Sequence, residues 1–197
     1  MKIIKVSITA IVFSMAFLLL TNTNKADKSA EYDYIGLKKC RMCHMSDKKG
    51  DQFAAWKKGP HAKAYETLGG AEAKKIAEER GIGDPQKAAE CLKCHVTGYN
   101  PATGEAPKKI EMENGVGCES CHGPGSAYWK KKVMEALTMG KIEPASVGLI
   151  EQDAEMCKTC HNEESPTYKE FKFKEFYDKI AHPMPEEYLK KEGYPVK

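Results

Sequence analysis

The sequence predicts a mainly α, loop-rich domain with little or no sheet, in which short helices wrap round an apolar mass that the polypeptide does not supply. Three observations lead there. The first is a shortage of core-forming side chains: from Asp27 to Lys197 there are 6 Leu, 7 Ile, 5 Val and 4 Phe, 22 of 171 residues. That is about 13%, against the ~20% below which a charged chain reads as disordered. The second is a series of modest helix signals separated by Gly/Pro-rich stretches, with no strand of length. The third is a repeated cysteine pattern: Cys40-Arg41-Met42-Cys43-His44, Cys91-Leu92-Lys93-Cys94-His95, Cys118-Glu119-Ser120-Cys121-His122 and Cys157-Lys158-Thr159-Cys160-His161. These four motifs use all eight cysteines, and every pair has a histidine directly behind it.

Cys-x-x-Cys-His is the c-type haem attachment signature. Two intervening residues make one short helical turn, so both sulfurs of a pair reach the same porphyrin edge and form thioethers. The following imidazole is then held against one face of the iron. Structural zinc sites, a thioredoxin-like redox pair and a disulfide framework also use paired cysteines. None of them requires a histidine after the second cysteine, and this chain has only six histidines in all. The reading is therefore a multihaem cytochrome c with four covalent haem c groups. Cys40, Cys43, Cys91, Cys94, Cys118, Cys121, Cys157 and Cys160 bind the porphyrins, and His44, His95, His122 and His161 are the proximal iron ligands. Four porphyrins then form the core of a single domain, and the chain should not fold without them.

Residues 1–26 read as a secretory signal, with Lys2 and Lys5 in a basic segment and Ile8 to Leu20 forming the apolar stretch. That stretch is short for a membrane span, which needs about 20 apolar residues; an uncleaved anchor at the membrane surface is the alternative. Residues 27–197 are the haem domain. Covalent haem attachment occurs outside the bacterial inner membrane, so a periplasmic location is expected, with an extracellular one as the further option. The formal charge of +3 includes Lys2, Lys5 and Lys25. Without them 28 basic side chains face 28 acidic ones, and each ferric haem adds about one negative charge. This balance gives no reason to expect nucleic acid as a partner. The Lys57-Lys58, Lys74-Lys75, Lys108-Lys109 and Lys190-Lys191 pairs and the Lys130–Lys132 run read as solvated faces.

The elements follow from local signals. Ala71–Arg80 is a good helix former closed by Gly81. Asp84-Pro85 opens a helix that runs into Cys91. Ser126 to Met139, stopped by Gly140, is the longest helix between haems. Ser165-Pro166 starts a last helix through Ile180, carrying Phe171, Phe173, Phe176 and Tyr177 as haem-packing aromatics. Segments 97–117 and 140–150 are loops.

Four haems have eight axial positions, and the motif histidines fill four. His61, in Gly59-Pro60-His61, and His182, in Ala181-His182-Pro183, are the other two histidines. Vacant iron sites compete for every imidazole, so both are expected to be distal ligands. Two positions stay unassigned. Methionine (Met42, Met45, Met112, Met134, Met139, Met156 or Met184), an open iron, or a ligand lent by a second copy of the chain are the alternatives.

The chain resembles the cytochrome c-554 family of periplasmic tetrahaem cytochromes. The likeness rests on the four motifs in about 200 residues, Gly59-Pro60-His61-Ala62, the block from Gly117 to Ser126 round the third motif, and Ala181-His182-Pro183. It implies close haem pairs that pass electrons between redox partner proteins, distal ligation by residues like His61 and His182, and one haem with an open face. Relatives often carry another distal histidine shortly after the third-motif block; here the stretch reads Ala127-Tyr128-Trp129. Either a second haem is then high-spin or Met-ligated, or Tyr128 lies near the vacant site.

Electron relay is the expected function, which makes the protein a carrier rather than an enzyme. A redox enzyme for a small nitrogen or sulfur oxide and a subunit of a cytochrome filament are the alternatives. No motif is the Cys-x-x-Cys-Lys variant, which disfavours an ammonia-forming nitrite reductase.

Overall fold

The computed structural model describes residues 32–196; the expected signal, residues 1–26, lies outside the described residues. Among these there are ten α-helices: α1 Leu37–His44, α2 Gln52–Lys58, α3 Ala64–Leu68, α4 Ala71–Glu79, α5 Ala89–His95, α6 Cys118–His122, α7 Lys131–Thr138, α8 Ala154–Lys158, α9 Phe173–Ile180 and α10 Glu186–Lys191. Sheet structure among the described residues is one isolated antiparallel bridge, Asn100 to Glu105. No helix of the described residues is long and apolar enough to cross a membrane. Helices of five to nine residues are unstable alone in water, because the costly first turn is barely repaid by propagation. Tertiary contacts must hold them.

Three motifs end a helix. Cys40–His44 closes α1, Cys91–His95 closes α5, and Cys118–His122 is the whole of α6. The fourth overruns α8, and a turn carries Cys160 and His161, whose N–H groups donate to Cys157 O at 3.3 and 3.0 Å. Helix α1 packs against α2 and α6, and α3 packs against α4 and α5.

The first helix expectation is met: α4 covers Ala71–Glu79, with Arg80 as its cap and Gly81 at φ 65°. The other three helices start later than the sequence signals suggest. Asp84 does cap a turn, accepting from Gln86 N at 3.0 Å, but Ala88 is extended (φ −77°, ψ 125°) and restarts the chain as α5 at Ala89. After Ser126 a 3₁₀ turn ends at buried Tyr128, Lys130 is extended (φ −73°, ψ 136°), and α7 begins only at Lys131. After Ser165-Pro166 the chain turns and extends to Lys172, which places Phe171 against the His161 ring, and α9 begins at Phe173. At Tyr128 and Phe171 a contact outside the helix outweighs local propensity, and before α5 the turn capped by Asp84 does.

The protein's own core is small. Leu68, Leu92 and Val96 form a buried cluster between α3 and α5, flanked by Tyr65, Cys91, Tyr99, Ala106, Ile110 and Met112. Polar anchors do much of the remaining work. Glu119, inside the third motif, is only 4% exposed. Its Oε1 accepts from Ile35 N (2.9 Å) and Gly125 N (2.8 Å), and its Oε2 from Gly36 N (2.8 Å). One carboxylate therefore ties the entrance of α1 to the exit of α6. Thr97 is buried too; its Oγ1 accepts from Gly117 N (2.7 Å) and Ser120 Oγ (3.0 Å) and donates to Gly115 O (3.1 Å).

Replacing Glu119 by Gln keeps one oxygen but sets an amide N–H₂ against the Gly36 N–H. The loss expected is about 1–3 kcal/mol, with a larger one for Glu119→Ala, read from denaturant unfolding of the haem-loaded protein. Unchanged stability in both variants would contradict the anchoring role.

Candidate haem-binding centre

The motifs converge. The Cys40 and Cys118 thiols share a hydrogen bond, which pushes the Cys40 thiol up and the Cys118 thiol down. Cys94 and Cys160 do the same: the bond from Cys94 pulls Cys160 down to about 6, while Cys94 is pushed up. Burial raises Cys121 to about 11, with the charges of Cys157, Cys118 and Cys160 adding to it. The first motif thus adjoins the third, the third adjoins the fourth, and the fourth adjoins the second. An ion pair between Lys93 and Glu164 reinforces the last junction. All eight cysteines are free thiols, with Cys43 exposed and the other seven half-buried.

The histidines are arranged for metal. The His61 and His161 rings have centroids 6.0 Å apart at 71°, and His122 and His182 are 6.1 Å apart at 68°. A metal–imidazole bond of about 2.0 Å on each side of one iron, plus about 1.2 Å to each ring centre, separates two centroids by roughly 6 Å. Both pairs have that spacing. Hydrogen bonding then selects the nitrogen offered. His95 Nδ1 lies 2.6 Å from Ala64 O, and His182 Nδ1 lies 2.7 Å from Ile180 O. A carbonyl only accepts, so Nδ1 carries the proton and Nε2 keeps its lone pair for a metal, the usual arrangement of a metal-ligating histidine. The Gln52 amide lies beside the His44 ring, and its buried Oε1 has no hydrogen-bond partner. An iron on the other ring nitrogen of His44 would leave an N–H for that oxygen.

Burial holds His122 down to about 4, helped by the nearby His182 and His44. Burial also lowers His44, His61 and His161. These imidazoles are neutral at physiological pH, as iron ligation demands.

The local chain explains the placement. His61 follows Pro60 at the start of a 3₁₀ turn, and its carbonyl accepts from Val116 N at 3.0 Å. Trp56 Nε1 holds Val116 O at 2.8 Å. Gly115 has φ 63°, and a Cβ there would lie 2.7 Å from His61 O, so only glycine lets the third motif approach this closely. His182 follows α9 in extended chain. Phe171 stacks on His161 at 4.9 Å and 22°, and Phe176 stacks on Phe171 at 5.3 Å and 25°. Tyr128 is no candidate ligand: its hydroxyl donates to Gly123 O (2.6 Å) and His122 O (3.0 Å), and burial pushes it far up. Gln52, Glu119 and the Ala64 and Ile180 carbonyls went unnoticed in the sequence. The only signal available was an acidic residue inside a haem motif.

Residues 39–123 match the family model described as cytochrome c554 and c-prime. The chain is 35% identical over 161 residues to cytochrome c-554 of Nitrosomonas europaea, covering 75% of this chain and 65% of that protein. Both findings support the cytochrome c-554 family for this chain. A shorter stretch of 77 residues is 31% identical to the C-type polyheme cytochrome OmcC of Geobacter sulfurreducens, covering 36% of this chain and 9% of that protein. No solved structure matches it significantly. The chain thus spans just under two thirds of its cytochrome c-554 relative's length. Covalent haem c is the family's cofactor, and the motif helices, free thiols and oriented imidazoles fit it.

The near-perpendicular rings predict two ferric haems with strongly anisotropic low-spin EPR signals, unlike the rhombic signals of parallel imidazoles. His61→Ala and His182→Ala should each convert one of these to high-spin. A variant with an unchanged spectrum would remove that histidine from the ligands.

Proposed function

We propose that the protein carries electrons between redox partner proteins through four covalently bound c-type haems. In this reading the eight motif cysteines hold the porphyrins, and His44, His95, His122 and His161 are proximal ligands. His182 is the distal ligand opposite His122, and His61 the one opposite His161. The observation that supports it best is the contact between motifs. Thiols of the first and third, third and fourth, and fourth and second motifs adjoin, so the porphyrins they anchor lie edge to edge in one row. Haems at that spacing conduct, while the protein supplies orientation, insulation and tuning of potential.

The chain's own residues contribute three things. The Nδ1–H to carbonyl bonds of His95 and His182 fix each ring and raise its basicity toward iron. Half-burial of seven of the eight thiols places those thioether edges at the motif junctions, partly shielded from bulk water. The small core of Leu68, Leu92 and Val96 holds α5 to α3, and with it the second motif. Residues 1–26 serve as the export signal, 27–197 form one haem domain, and the periplasm is the site of action.

Mass spectrometry of the exported protein should show four added haems. In the same sample all four should reduce and reoxidise without sustained turnover of nitrite, hydroxylamine or nitric oxide. Turnover at physiological rates would make the protein an enzyme, and a lower haem count would break the row.

A further inference from the structure

The six histidines of this sequence are all accounted for, and their distribution is uneven. Two lie opposite each other at the third-motif iron position, His122 with His182, and two at the fourth, His161 with His61. No histidine of the sequence is left to face His44 or His95. The order of motif contacts puts the third and fourth motifs in the middle of the row and the first and second at its ends.

We infer that the iron held by His44 has an exchangeable distal face that binds a small π-acceptor diatomic in the ferrous state, so that the row ends in a ligand-binding iron at its first-motif end as well as at His95. This rests on the haem reading above. Within the first motif Met42 lies between the two anchoring cysteines, and Met45 directly follows His44; both are exposed, at 68% and 49%. Both side chains are therefore largely in solvent, beside the proximal histidine of their own motif. Tyr128 is tied to the His122 and Gly123 carbonyls. Trp129, the next residue, lies under the Lys39 ammonium at 4.7 Å, and an indole N–H has no lone pair for iron. On the proximal side, Asp51 caps α2 by accepting from Ala54 N at 3.0 Å. That cap sets Gln52 in the first turn, where it reaches the His44 ring and also donates to Lys49 O. The His44 imidazole thus has a neighbouring unpartnered acceptor, Gln52 Oε1, that would take its N–H once the other nitrogen holds iron, separate from the Ala64 carbonyl that braces His95.

The different braces make the two ends separable by experiment. Holoprotein that mass spectrometry shows to carry four haems is fully reduced and titrated with carbon monoxide. Two CO per chain are expected, and the ferric form should contain two high-spin and two low-spin irons. Resonance Raman of the ferrous protein detects the iron–histidine stretch only in five-coordinate haem, and two such bands are expected. In Gln52→Leu one band should move to lower frequency, because His44 loses its acceptor, while the other band and the CO count stay as they were. One CO per chain would overturn the inference, showing a methionine or a second copy's side chain on the His44 iron. Two CO with neither band moved would also overturn it, by placing the second open face elsewhere. Both results leave the four-haem relay intact, whereas a haem count below four would sink the relay itself.

Discussion

An imidazole can bind iron only through a nitrogen that carries no proton, and the hydrogen bonds of two of the six histidines meet that requirement. His95 and His182 each give their Nδ1–H to a backbone carbonyl, at 2.6 and 2.7 Å, which fixes the tautomer and aims Nε2. The carbonyls are well chosen. Ile180 ends α9, and the last carbonyls of a helix lack intrahelical partners and carry its negative dipole end. The His182 ring therefore meets a need of α9 while being oriented by it. Ala64 opens α3, so the bond to His95, the last residue of α5, couples the ring to the packing of Leu68 on Leu92 and Val96. Ligand geometry and the small apolar core are one construction.

The haem motifs were legible because their chemistry is local: two thiols and an imidazole within five residues must share one porphyrin edge. His61 and His182 stood out because only two histidines lie outside the motifs, and each has its ring against a motif histidine. Their partners were not legible, because a distal ligand is set by folding at a distance. His61 reaches His161 across 100 positions through the Val116 and Trp56 hydrogen bonds. Helix starts failed for the same reason. Tyr128, Phe171 and Ala88 interrupt sequences of good local propensity because each is drawn to a contact or a turn that no window reveals. Glu119 was hidden differently, as a variable position inside a motif that organises three backbone amides from two distant segments.

If haem fills the motifs as proposed, the shortage of histidine and the ring pairs at the third and fourth motifs would suit a conductor. An iron with two imidazoles keeps its coordination when it changes oxidation state, so little reorganisation accompanies electron transfer. A five-coordinate iron shifts relative to its porphyrin as ligands come and go, and transfer through it is slowed. In that reading the irons with two imidazoles would occupy the middle of the row, between the His44 and His95 ends. The ends, where an open iron would exchange ligands with solution, would then be the slower entry and exit points of the row. In the stretch after Ser126, Tyr128 clamps the His122 and Gly123 carbonyls, which steadies the exit of α6 beside a central iron. Tyr128 thus holds the backbone of the residue that would ligate the third-motif iron.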